Sequence, residues 1–256
     1  MDEYIKTLLI VCPLIFLGGF VDSVAGGGGI ITIPAYMMAG LPTHVAMGTN
    51  KVVASCGAIA AIRSYLSGGK IRWFPALAAA ALALPGSALG TKAALLVAED
   101  VLEIVLLVIL PLVAIFLSLR KDFGCDEDQS GEISRPRLAA VSGLIGFVAG
   151  FYDGMIGPGT GTFMLMGFTL LLHLDLLTAS GCAKVSNLAS GIGSAALFLL
   201  NGKVLWSVAL PAALCSILGS MAGARYALRG GSKKVRGMIF LVLGLLFIKV
   251  LSELVL

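Results

Sequence analysis

The chain has 256 residues, 58% of them apolar and only 12% charged, with a formal net charge of +4 and a mean hydropathy of +1.01. A soluble globular domain carries about 25% charged residues, so this chain has too few to cover a water-facing surface. Its charge is spread over loops, with neither a basic stripe nor an aromatic platform, which excludes nucleic acid as a partner.

In chain order, apolar segments are predicted at 5–22, 30–41, 46–66, 73–97 and 101–119. The polar stretch 120–136 (RKDFGCDEDQSGEISRP) follows, then segments at 137–153, 161–174, 178–200, 204–226 and 235–254. Spanning takes about 20 apolar residues, and the third, fourth and fifth segments of each set reach or approach that length. The first two of each set are shorter and meet at a glycine run, which reads as two half-helices or a re-entrant hairpin. The expected fold class is an all-α integral membrane protein with eight to ten membrane segments. Residues 7–21 followed by DSVAGG could pass for a signal peptide, but the same pattern recurs at 138–157, deep inside the chain. The first segment therefore belongs to the fold.

That recurrence is general. Gly19, Phe20, Asp22, Gly26 and Gly28 fall on Gly150, Phe151, Asp153, Gly157 and Gly159 at an offset of 131. Further on the offset becomes 133, and Lys51, Lys70, Trp73, Gly86 and Gly90 fall on Lys184, Lys203, Trp206, Gly219 and Gly223. An internal duplication follows, with repeat units at 1–119 and 137–256 and a linker at 120–136. Lys and Arg collect after the third segment, in the linker and after the ninth segment. These clusters share one side only if each unit crosses the membrane an odd number of times. The second unit is then inverted relative to the first, the linker is cytoplasmic, and both termini lie outside.

Two patterns could carry chemistry. The runs Gly26-Gly27-Gly28-Gly29 and Gly157-Pro158-Gly159-Thr160-Gly161 each begin four residues after an aspartate, Asp22 or Asp153. Helix breaks at membrane depth persist where the freed backbone lines a cavity or is buried in protein, and a helix starting after one offers N–H groups to an anion. The plainer reading is close helix packing. The second pattern is Thr49-Asn50-Lys51 and Lys184-Val185-Ser186-Asn187, a donor-rich set suited to an oxyanion. Against it stands a structural pairing of each lysine with an aspartate, or a lysine snorkelling to the interface. Asp22 and Asp153 could carry a coupling proton, cap a helix or coordinate a cation. The five cysteines are scattered singly, so neither a metal site nor a cofactor is expected. No histidine is placed to serve a nucleophile, so an enzyme has no support.

The blocks GFVDSVAGGGGIITIPAYMMAGLPTHVAMGTNK (19–51), GFYDGMIGPGTGTFMLMGF (150–168) and ASGCAKVSNLAS (179–190) resemble the two signature regions of the TauE/SafE sulfite exporter family. The resemblance implies secondary transport of a small sulfur-containing anion such as sulfite or sulfoacetate across the bacterial inner membrane, by export and with ion coupling. A passive channel or a carrier for an unrelated solute is the alternative. Implied partners are the anion, membrane lipid and a coupling proton, with a homo-oligomer left open. Cys182-Ala183, standing where Thr49-Asn50 stand in the first copy, makes the two half-sites chemically unequal.

The topology is testable at Cys125, in the linker. An impermeant thiol reagent should label it only from the cytoplasmic side; rapid labelling from outside would sink the inverted arrangement.

Overall fold

The computed structural model describes residues 2–98, 100, 101, 104 and 133–255, with side chains described for residues 4–239 within those ranges. Eight helices are present among the described residues: α1 (Asp2–Ala25), α2 (Gly29–Met38), α3 (Thr43–Ser67), α4 (Trp73–Leu96), α5 (Arg135–Met155), α6 (Thr160–Leu172), α7 (Leu176–Leu200) and α8 (Trp206–Val255). Within α8 two helices meet at Gly231, whose φ is 67°. Most of the expected segment 101–119 and most of the linker lie outside the described residues.

Six of these helices are long and apolar enough to cross a membrane. One expectation changes. The first segment of each copy is a full-length helix of 24 or 21 residues, because its first turn recruits polar residues beyond the apolar run: Asp2 and Glu3, or Arg135 and Arg137. A polar first turn adds helix length beyond the apolar run that spans the hydrocarbon. Only α2, with 10 residues, and α6, with 13, stay short. At 1.5 Å per residue these cover about half to two-thirds of a hydrocarbon core about 30 Å thick.

The distribution of side chains is that of a protein surrounded by lipid. Leu77, Leu82, Leu84, Leu210, Leu214 and Leu218 are exposed, while Lys51, Lys184, Asp153 and Asn50 are buried. In water this would be the costly way round; in a bilayer it puts apolar surface against acyl chains and polar groups against one another.

Because hydrocarbon supplies no hydrophobic drive between helices, close packing must hold them together. Glycines at four-residue spacing provide it. On α5, Gly146, Gly150 and Gly154 abut the carbonyl oxygens of Ala79, Ala83 and Ser87 on α4; on α4, Gly86 and Gly90 abut those of Phe147 and Phe151. On α8, Gly219 and Gly223 abut the carbonyls of Phe16 and Phe20 on α1. Residue numbers rise together along each seam, so α4 and α5 run parallel, as do α1 and α8. The Tyr4 hydroxyl donating to the Ser207 carbonyl at 2.9 Å continues the α1–α8 register. By contrast, Gly48 of α3 meets Phe198 of α7 while Ser55 meets Gly191, so these two run antiparallel.

A side chain placed into a seam should therefore overpack it. Gly154→Leu or Gly90→Leu should cost about 3 kcal/mol, the upper end for overpacking, read as lost thermal stability of the purified protein. Gly237→Leu, where an added Cβ meets nothing within 4 Å, should change stability by less than about 0.5 kcal/mol.

Candidate functional site

Both helix breaks are made the same way. After Ala25 the chain turns at Gly26 (φ 82°), and after Met155 at Gly157 (φ 95°), a left-handed backbone that a side chain would strain. The two breaks lean on each other: an added Cβ on Gly161 would lie 2.6 Å from the Gly26 Cα, and one on Gly29 would lie 3.1 Å from the Pro158 Cα. Freed backbone groups find local partners. Thr162 Oγ1 donates to the Ala25 carbonyl at 2.8 Å, Tyr152 Oη to the Pro158 carbonyl at 2.7 Å, and Thr160 Oγ1 to the Gly157 carbonyl at 2.7 Å.

The lysines and aspartates pair across the duplication. Lys51 Nζ on α3 lies 2.7 Å from Asp153 Oδ1 on α5, and Lys184 Nζ on α7 lies 2.6 Å from Asp22 Oδ2 on α1. Each lysine thus takes the aspartate of the other copy. Lys51 Nζ also donates to the Asp153 carbonyl oxygen, and Ser190 Oγ donates to Asp153 Oδ2. Asp22 Oδ1 accepts from the Gly28 N–H at 3.3 Å, reaching over the break to the start of α2. The four charges cancel, and each is matched where it is buried.

Between the breaks lies a cavity of about 50 Å³, room for a few waters or one small ion. Of the residues singled out from sequence, Asp22, Gly26, Gly28, Gly29, Asn50, Lys51, Asp153, Gly157, Thr160, Gly161 and Asn187 line it. Gly27, Thr49, Gly159, Lys184 and Ser186 do not. The Thr49 hydroxyl accepts from the Leu205 N–H at 3.0 Å, the Ser186 hydroxyl bonds the Cys182 carbonyl at 3.2 Å, and Lys184 stands behind Asp22. The starts of α2 and α6 both face the cavity, so the positive ends of two helix dipoles converge on it. Among the described residues, the Asn50 and Asn187 amides make no hydrogen bond to the protein.

Sequence reasoning passed over Thr32, Ser55, Ser216 and Ser220, whose hydroxyls also line the cavity, and Ser190 on Asp153. A usable signal existed for three of them. Ser55 lies four residues after Lys51, and Ser216 and Ser220 are four apart, so each shares a helix face with a cavity residue. The cation alternative meets two carboxylates already taken by ammonium groups, and the described residues contain no group of three metal-ligating side chains.

Comparison with known proteins identifies relatives over nearly the whole chain. A probable membrane transporter protein ORF9 of Sinorhizobium sp is 37% identical over 238 residues, covering 93% of this chain and 90% of that protein. A probable membrane transporter protein of Haemophilus influenzae is 35% identical over 246 residues, covering 94% and 93%. The probable membrane transporter protein YfcA of Escherichia coli K12 is 32% identical over 259 residues, covering 98% and 95%. No solved structure matches. The family described as sulfite exporter TauE/SafE matches residues 11–250. With six helices apt to span a bilayer and a polar cavity at two helix breaks, the chain belongs to the TauE/SafE family of membrane transporters.

Proposed function

We propose that this chain is a secondary transporter for a small sulfur-containing anion, sulfite or an organosulfonate such as sulfoacetate, exporting it across the bacterial inner membrane. One observation carries the reading: two helix N-termini, one from each half, meet at a single small cavity with two unengaged amides and the Lys51 ammonium. Those groups bring hydrogen-bond donors to one cavity, and an oxyanion is a ligand that uses donors alone. A cavity of about 50 Å³ suits the sulfonate or sulfite group rather than a large organic body.

The proposal includes two inverted units, 1–119 and 137–256, joined by a cytoplasmic linker at 120–136. Helix directions support it. Helices α3 and α7 carry equivalent sequence and run antiparallel, as inversion requires. Trp73 and Trp206, both exposed, begin α4 and α8. α4 runs alongside α7, through Cys182 on Arg72 and Ser186 on Ala76, whereas α8 runs alongside α3, through Thr49 on Leu205 and Gly57 on Ser216. With α3 and α7 opposed, the two tryptophans fall at opposite ends of the bundle, as a belt at each interface would have them.

The lysines can be tested without leaving a carboxylate buried and unmatched. Lys51→Met combined with Asp153→Asn should fold and should bind sulfite and sulfoacetate more weakly by about 1.5–3 kcal/mol, roughly ten- to hundredfold. Lys184→Met with Asp22→Asn should lose less than tenfold at neutral pH, since Lys184 stands off the cavity. Calorimetry on the purified variants measures this, with flux into vesicles as the functional counterpart. Wild-type affinity in the Lys51 double variant would remove the lysine from the site.

A further inference from the structure

The two ion pairs are equivalent in sequence and unequal in surroundings. Asp153 is 7% exposed, and its carboxylate receives Lys51 Nζ on Oδ1 and Ser190 Oγ on Oδ2, the same Nζ also binding its backbone carbonyl. Asp22 is 19% exposed, borders the cavity, and receives Lys184 Nζ on one oxygen and a long 3.3 Å bond from Gly28 on the other. The position equivalent to Ser190 is Gly57, which has no hydroxyl to offer. Each carboxylate has two donors, but Asp22 is the more exposed and its second donor is a distant backbone N–H; of the two it is the more loosely held.

The groups around Asp22 define what that change does. From α7 comes Lys184, from α3 Lys51 and the Tyr65 hydroxyl (itself donating to the Ser23 carbonyl at 2.8 Å), and from α5 Asp153. From α8 come the hydroxyls of Ser216 and Ser220, and from α2 only backbone N–H groups. Two ammonium groups face two carboxylates, so the empty site is neutral. An anion entering it lies beside Asp22 and raises the cost of that negative charge.

We propose that Asp22 is the proton site of this transporter, taking up one proton from solvent as the anion binds. The inference rests on the anion reading above and adds the coupling ion and its residue. Protonated Asp22 leaves the Lys184 charge uncompensated just behind the cavity, so the site becomes net positive when the anion arrives. Proton and anion then cross together, which lowers the net charge carried through the low-dielectric interior. By reciprocity, whatever the anion does for the proton the proton does for the anion.

The probe is sulfoacetate, whose acidic groups are ionised well below neutral pH and which brings no titrating proton of its own. In weakly buffered solution, binding to the purified protein should take up about one proton per anion, and affinity should fall by up to about tenfold per pH unit as pH rises. Asp22→Asn, which mimics the protonated form, should bind sulfoacetate with no proton uptake and no pH slope. Asp153→Asn should retain uptake wherever it binds. If Asp22→Asn fails to fold, Lys184→Met with Asp22→Asn serves in its place and should also show a flat pH profile. Binding by the wild type without proton uptake overturns this inference and leaves the anion reading standing. Uptake that survives in Asp22→Asn and vanishes in Asp153→Asn overturns the assignment to Asp22. Failure of both sulfite and sulfoacetate to bind the wild type overturns the anion reading, and this inference with it.

Discussion

The crossed pairing of Lys51 with Asp153 and Lys184 with Asp22 is the constraint on which the centre of this molecule depends. A charge in the protein interior is tolerable only when matched, and removing one member of a buried pair typically costs about 3–5 kcal/mol. Because each lysine reaches into the other half, neither half can satisfy its own charges. The aspartates stand four residues before Gly26 and Gly157, so the pairs also fix where the two helix breaks lie relative to each other. Position of the breaks, neutrality of the cavity and mutual docking of the halves follow from one exchange of partners.

The breaks are possible because the surrounding helices come so close. A half-helix inside the bilayer exposes carbonyl and N–H groups that lipid cannot satisfy. Here the opposing segment satisfies part of that need, as Thr162 of α6 does for Ala25 at the end of α1. Contact of this kind needs backbones within touching distance, and the seams of α1 on α8 and α4 on α5 provide it through carbonyl-on-glycine packing. Glycine thus has two separate roles. At Gly26 and Gly157 it permits the left-handed turn; at Gly146, Gly150 and Gly154 it removes a side chain that would hold two helices apart.

Much of this was legible in the sequence, because a duplication supplies two readings of every feature. Asp22, Lys51 and the glycine runs stood out through their partners Asp153, Lys184 and Gly157, and the location of the breaks followed. The length of α1 was not legible, since hydropathy cannot tell a polar first turn from a loop. Pairing across the copies was not legible either. An offset identifies which residues are equivalent, and equivalence says nothing about whether Asp22 meets Lys51 or Lys184. Hydroxyls were the hardest class. Ser186 stood out and Ser55 did not, yet helix rotation turns the first toward α4 and the second toward the cavity. That difference is about one side-chain direction, which spacing alone does not fix.

The departures from symmetry show what the second copy adds. Asn50 is matched by Ala183 and Asn187 by Ala54, so the amide occupies the first of two positions one turn apart in one half and the second in the other. A site made of two identical halves would present its donors symmetrically about a central axis. This one has its two amides at non-equivalent positions of the repeat, so the donors of the two halves differ. The same asymmetry places Ser190 against Asp153 and leaves Gly57 near Asp22. Both aspartates border the cavity, but Asp153 is the less exposed and has a hydroxyl on its second oxygen where Asp22 has only a distant backbone N–H. The repeat carries two charge pairs at equivalent positions, and a few small substitutions give them unequal surroundings.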